Sequence, residues 1–329
     1  MPSAVTRAQP RVRDADVPTL VEQARAGSAR AVARLISLVE DASPALREAM
    51  RLLAPYAGSA RVIGLTGSPG VGKSTCTSAL VSAYRGQGLR VGVLAVDPSS
   101  PFSGGALLGD RVRMQDHATD DGVFIRSMAS RGHLGGLSWA TPQALRVLSA
   151  AGCDVVLVET VGVGQAEVEV AALADTTLVL MAPGMGDGIQ AAKAGILEVA
   201  DVFVVNKADR DGADLVVRDL RYMLSLGDRR TADGWRPPIV KTVAARGDGV
   251  DEVVTEIERH GAWLTASGGL AERRRRRAAG EIEAIALTVL RSRMGEVRGG
   301  ALDRVAAQVA AGELDPYAAA DELVAAVTT

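Results

Sequence analysis

Arg61-Val62-Ile63-Gly64-Leu65-Thr66-Gly67-Ser68-Pro69-Gly70-Val71-Gly72-Lys73-Ser74 is the stretch that decides how this 329-residue chain folds. Arg61 to Thr66 read as a buried strand that runs directly into GxxxxGK[ST], and Lys73 through Arg85 continues as a helix. Glycines let such a loop bend until consecutive N–H groups point at phosphate oxygens, and the following helix adds its positive end. Gly67, Ser68, Pro69, Gly70, Val71, Gly72, Lys73, Ser74 and Thr75 are therefore the expected phosphate-binding set. Lys73 should reach the β- and γ-phosphates, and the Ser74 hydroxyl should bind Mg²⁺.

Far downstream stands Asn206-Lys207-Ala208-Asp209, again after an apolar strand. Asn-Lys-x-Asp is the pattern by which guanine is read. A carboxylate at Asp209 can accept from both N1–H and the exocyclic amine of guanine, whereas adenine leaves it desolvated and unpaired. Discrimination built on unpaired polar groups reaches ~10⁴ or more. In this order the two blocks point to a nucleotide hydrolase acting on GTP.

The surrounding pattern fits a doubly wound, largely parallel α/β sheet. Further strands are read at Val91–Val96, Asp154–Glu159, Thr176–Met181, Ala200–Val205 and Pro238–Thr242, with helical stretches between most of them. Ligands of such sheets sit at the carboxyl ends of the strands, where the motifs fall. Residues 1 to about 16 are polar and Pro-containing and read as disordered. From Val17 to about Tyr56 apolar residues recur at helical spacing, punctuated at Gly27-Ser28 and Asp41-Ala42-Ser43-Pro44, which predicts two or three helices. From about Trp263 the strand pattern stops, and long Ala/Arg/Glu helices follow, broken at Gly295–Gly300 and Gly312–Pro316. The expected organisation is an N-terminal helical extension over 1–59, a nucleotide-binding domain over 60–262 and a C-terminal helical arm over 263–329. The arm has too few large apolar residues for a core of its own, so it should pack on the main domain or on a second copy.

Composition narrows the alternatives. Hydrophobic residues make up 47% and aromatics only 3%, which suits buried parallel strands flanked by Ala-rich helices. A net charge of −2 gives no general pull toward nucleic acid or membrane. Cys76 and Cys153 are the two cysteines, too few for a disulfide framework, and a reducing cytoplasm fits better. The first 30 residues hold Arg7, Arg11, Arg13 and Arg25 but no continuous apolar core, so no secretory signal is expected. No apolar run reaches ~18 residues, which argues against an ordinary membrane span. His117, His133 and His260 show no transition-metal spacing.

Three acids are candidates for the Mg²⁺ and switch regions. Glu159 ends a strongly apolar strand and is followed by Thr160-Val161-Gly162, an acid, two residues and a glycine whose N–H can meet the γ-phosphate. Most GTPases place Asp there, and the extra methylene of Glu reaches further. Val163 occupies the position that holds a water-orienting glutamine in Ras-type enzymes, with Gln165 two residues on. Asp97 ends the second strand, and Asp110 follows the Gly104-Gly105 to Gly109 stretch, a loop that could order around phosphate and Mg²⁺. Thr242-Val243-Ala244 ends the last strand, where backbone N–H groups commonly meet guanine O6. The Arg273–Arg277 run lies among Glu272, Glu281 and Glu283, so it reads as a solvated helix face or partner surface rather than a nucleic-acid site.

Residues 61 to about 262 resemble the MeaB/ArgK family, GTPases associated with cobalamin-dependent acyl-CoA mutases. The resemblance is carried by GLTGSPGVGKST from Gly64, VLAVDPSSPFSGGALLGDRVRM from Val93, FIRSMASRGHLGGLS from Phe124, ETVGVGQAEVEV from Glu159, MAPGMGDGIQAAKAGILEVAD from Met181 and VVNKAD from Val204. The first and last are generic to GTPases, and the middle four are specific. The resemblance implies GTP hydrolysis to GDP, homodimerisation, and a chaperone role toward methylmalonyl-CoA mutase or a relative. That role includes gating adenosylcobalamin loading and protecting or reactivating the mutase. It also implies site roles: Lys73, Asp110, Glu159 and Lys193 as catalytic, Ser74, Asp97, Asp110 and Glu159 at Mg²⁺, and Lys193 in a third switch that signals to the partner. Two other readings share the phosphate loop: a metal-delivery GTPase for a nickel or zinc enzyme, and a small-molecule kinase indifferent to guanine.

Overall fold

The computed structural model describes residues 16–98, 115–117, 119–130, 140–160, 166–184, 196–226 and 234–328. Seven strands form one sheet: β1 (Arg61–Thr66), β2 (Val91–Pro98), β3 (Val123–Ser130), β4 (Val155–Thr160), β5 (Thr176–Met181), β6 (Val202–Val205) and β7 (Ile239–Lys241). Their spatial order is β3-β2-β4-β1-β5-β6-β7, and every neighbouring pair is parallel. All six residues of β4 and of β5 are buried, as strands covered on both faces require.

The pleat sends alternate residues to two different layers. Val62, Leu94, Val96, Val156 and Val158 join a cluster with α1 (Val17–Arg25), α2 (Ala29–Glu40), α3 (Leu46–Leu53) and α5 (Ala140–Ala150). Ile63, Leu65, Val91, Val93, Val155 and Leu157 face the other way, onto α4 (Lys73–Gly86) and α9 (Val250–Ala266). A third cluster joins β5 and β6 to α8 (Ala213–Leu226). The small helices α6 (Ala166–Leu173) and α7 (Ile196–Val199) complete the alternation.

The first helices break where the sequence reading placed the breaks. Gly27 takes φ +94°, and the Ser28 hydroxyl caps α2 by accepting from Ala31 N at 3.4 Å. One strand was not foreseen. β3 lies at the sheet edge and pairs only with β2, Val91 opposite Val123 through Pro98 opposite Ser130. Its apolar run, Val123-Phe124-Ile125, gives way to Arg126-Ser127, because an edge strand is not obliged to be continuously hydrophobic.

The chain divides into two compact units, Met1–Arg274 and Arg275–Thr329. Helix α10 (Gly269–Val297) spans the division, and a π-helical turn, Arg298–Leu302, leads to α11 (Asp303–Ala310) and α12 (Pro316–Thr328). In the second unit Val305 and Ala319 are buried, while Ile282, Leu287, Leu290 and Met294 of α10 are exposed. No described helix is long and apolar enough to cross a membrane.

Candidate nucleotide site

The site is built at the carboxyl ends of β1, β4, β5, β6 and β7. Between β1 and α4 the chain makes the Gly67–Ser74 loop, and two glycines there are sterically obligatory. A Cβ on Gly67, whose φ is +139°, would meet the Leu180 carbonyl oxygen at 2.3 Å. One on Gly72, at φ +95°, would meet Asn206 Nδ2 at 2.5 Å. Lys73 is buried and its ammonium turns back over the loop, donating to the carbonyls of Gly67 at 2.7 Å and Ser68 at 3.1 Å. A cation held over a helix N-terminus is an arrangement that suits phosphate.

Glu159 projects from the end of β4 toward α4 and is only 3% exposed. Ser74 Oγ donates to its Oε1 at 2.6 Å, and Thr77 Oγ1 donates to its Oε2 at 2.8 Å. Ser74 and Glu159 thus stand together as hard oxygen donors, the ligand type Mg²⁺ takes. Thr77 was not singled out from sequence, since nothing in the local pattern says which side of α4 meets β4.

In the Asn-Lys-x-Asp segment, Asn206 is the hub. Its Nδ2 donates to the Val71 carbonyl at 2.9 Å, and its Oδ1 accepts from Thr242 Oγ1 at 3.2 Å and from Ala244 N at 3.1 Å. Lys207, in the left-handed region at φ +56°, donates to the Gly70 carbonyl at 2.6 Å. Two long-range bonds therefore fasten the Asn-Lys-x-Asp segment to the phosphate loop. The Thr242-Val243-Ala244 segment is stitched in as well, with Thr242 N donating to Val205 O at 2.9 Å and Val243 N to Asp248 O at 3.0 Å. Asp209 is 43% exposed at the rim, 3.6 Å from Arg246.

A family model described as methylmalonyl Co-A mutase-associated GTPase MeaB matches residues 32–297. The chain belongs to the MeaB family of GTPases. It is 47% identical to a putative GTPase of Pyrococcus abyssi, over 94% of this chain and 96% of that one. It is 39% identical to the GTPase ArgK of Escherichia coli, over 79% and 81%. A crystal structure titled LAO/AO transport system kinase superposes with a TM-score of 0.69 at 29% identity, covering 97% of this chain and all of that one.

In this MeaB-family GTPase the structure gathers Lys73, Ser74, Glu159, Asn206, Lys207, Thr242 and Ala244 around the Gly67–Ser74 loop. Asp97 lies in β2 opposite Ala129. Asp110, Gly162 and Lys193 lie outside the described residues. Behind Ser74, burial pushes the Cys76 thiol up to about 12, with the neighbouring Thr242 hydroxyl acting in the opposite direction. It is a protonated thiol at neutral pH and no nucleophile. Cys76 and Cys153 are both free and buried.

At the opposite end of the sheet the GTPase carries a second polar cluster that sequence reading missed. Asp201 accepts two hydrogen bonds from Arg273 at 2.7 Å each and one from Thr177 N at 2.8 Å, with His260 Nε2 3.2 Å away. Asp175 accepts from Arg274 at 3.1 Å and from Val62 N at 3.0 Å. Burial alone would raise the Asp201 carboxyl, but His260 and Arg273 outweigh it and hold the group below its ordinary value of 3.8. The expectation of a solvated arginine face is therefore corrected at its first two members. Arg273 and Arg274, both within the first unit, bond at the amino ends of β5 and β6, where each meets an aspartate already holding a strand N–H.

Proposed function

We propose that this GTPase is a chaperone for a cobalamin-dependent acyl-CoA mutase, methylmalonyl-CoA mutase or a close relative, gating adenosylcobalamin loading and protecting or reactivating the enzyme. Two observations support the reading together: the MeaB family match across residues 32–297, and the bond from Asn206 to the Val71 carbonyl. That bond ties the segment assigned to base recognition to the loop assigned to phosphate, holding the two at a fixed spacing.

In this reading the Gly67–Thr75 backbone binds the phosphates, Lys73 places its charge on the β- and γ-phosphates, and Asp209 reads the guanine edge. Ser74 and Glu159 hold Mg²⁺, with Asp97 and Asp110 assigned to the same region by their motif. Bound there, the metal would neutralise charge on the transferring phosphoryl oxygens. Gly162 supplies an N–H to the γ-phosphate. With Val163 in the water-orienting position, the isolated protein should turn over slowly, and Lys193 in its glycine-rich segment carries nucleotide state to the mutase. The exposed apolar side chains of α10, including Ile282, Leu287 and Leu290, support a homodimer. The buried free thiols are in keeping with the cytoplasm.

The test is GTP turnover measured with and without the purified mutase, for wild type and Lys193→Ala. The mutase should accelerate hydrolysis, and the variant should bind GTP normally yet lose the acceleration. No stimulation of wild type would overturn the chaperone reading. Equal stimulation of both proteins would remove Lys193 from the coupling.

A further inference from the structure

Glu159 poses a problem of position. Its carboxylate is 3% exposed, at the end of a central parallel strand, in a family of folds where a shorter Asp commonly stands. A buried carboxylate needs each oxygen satisfied, and a metal-positioning carboxylate also needs a single orientation. Helix α4 answers both needs from one face. Ser74 and Thr77 are three residues apart, so their side chains are neighbours on the helix surface. Ser74 takes Oε1 and Thr77 takes Oε2, at 2.6 and 2.8 Å.

Thr77 itself is fully buried. A buried helical threonine often does nothing more than bond the carbonyl one turn back, and Thr77 Oγ1 does lie 3.1 Å from the Lys73 carbonyl. A hydroxyl has one proton, however. The shorter contact is to Glu159, and an ionised acceptor makes the stronger bond. The β-branched side chain has few rotamers in a helix, which fixes the direction of that proton. The extra methylene of Glu159, relative to Asp, is what lets the carboxylate span to α4 and touch both hydroxyls.

We propose that Thr77 is a positioning residue for the Mg²⁺ site: it holds the second oxygen of Glu159, leaving the first aimed at Ser74. The proposal rests on the metal reading of Ser74 and Glu159 given above. It assigns no contact between Thr77 and metal or nucleotide. Loss of a hydrogen-bond partner to a metal-site ligand typically lowers metal affinity by ~10–100-fold, and that is the size of effect the hydroxyl should carry.

The experiment loads the full chain with fluorescent GDP and follows its release as Mg²⁺ is raised, giving the Mg²⁺ concentration at which release is half slowed. T77V keeps the shape of threonine and removes the hydroxyl, and should raise that concentration about tenfold or more. T77S keeps the hydroxyl and should stay within about twofold of wild type. Release in excess chelator should be alike in all of them, which a general loosening of the pocket would not produce. If T77V does not fold, T77A, a good helix former, carries the same expectation. A half-effect concentration within about twofold of wild type for T77V or T77A overturns the proposal, and so does T77S impaired as much as T77V. Wild-type release that ignores Mg²⁺ overturns the metal reading of Ser74 and Glu159 along with it.

Discussion

Asn206→Ala should separate the two halves of the nucleotide site. Asn206 is 3% exposed and makes three hydrogen bonds, to the Val71 carbonyl, Thr242 Oγ1 and Ala244 N. Each is worth about 1 kcal/mol net, so truncation costs about 3 kcal/mol, with a further cost for any buried group left unsatisfied. In a folding unit of this size 1 kcal/mol moves the melting temperature by ~2–4 °C, which predicts a fall of about 6–12 °C without nucleotide. The phosphate loop, no longer tied at Val71, must then be ordered by the ligand itself. Each 1.4 kcal/mol of such ordering is about tenfold in affinity, so GDP and GTP should both bind at least about tenfold more weakly. Calorimetric melting and titration with fluorescent GDP read the two effects. Asn206→Asp is the sharper control, because it keeps an acceptor for Ala244 N but sets a second carboxylate oxygen against the Val71 carbonyl. Melting within about 2 °C of wild type in the Ala variant, or full rescue by Asp, would refute the role given to the Asn206 amide.

Lys73→Ala should lose tight GTP binding while keeping its fold, because it removes the point charge aimed at the phosphates; unchanged affinity in an equilibrium titration would show that the loop does not hold nucleotide. Asp209→Asn should weaken guanine binding and gain relative affinity for xanthosine triphosphate, which presents a carbonyl at the same edge; a retained preference for GTP would sink the assignment. Asp201 titrates lower in the folded protein than in the unfolded chain, so its stabilisation is whole above about pH 5. It drains away as pH falls through about 4 toward the folded value. The stability gap between wild type and Asp201→Asn in denaturant melts should therefore be present at pH 5 and close as pH falls below about 4. A gap independent of pH would refute the cluster's charged character.

The parts legible in the sequence were those whose signal is local. The strand, loop and helix from Arg61 to Gly86, and the breaks at Gly27 and Gly312, follow from short-range rules of apolar run, glycine and cap. Strand ends moved by a residue or two, as at Val202 and Ile239, because ladder pairing rather than composition ends a strand. β3 escaped because an edge strand answers to one neighbour only, so Arg126 and Ser127 interrupt its apolar run without interrupting its pairing with β2. The arginine run was misjudged at Arg273 and Arg274 for a related reason: charge pattern along a helix does not say which aspartates wait beneath it.

By itself, then, the sequence determined a parallel sheet with a glycine-rich loop after β1 and an Asn-Lys-x-Asp segment after β6, since each is a contiguous pattern of turn, charge and hydrophobicity. Tertiary structure alone decided how those pieces act together. Asn206 meets Val71 across 135 positions, Thr77 meets Glu159 across 82, and Arg273 meets Asp201 across 72. Such partners are chosen by strand order and by which face of a helix turns inward. A chain read residue by residue carries the groups that can bond, while the packed sheet settles which of them come within hydrogen-bond reach.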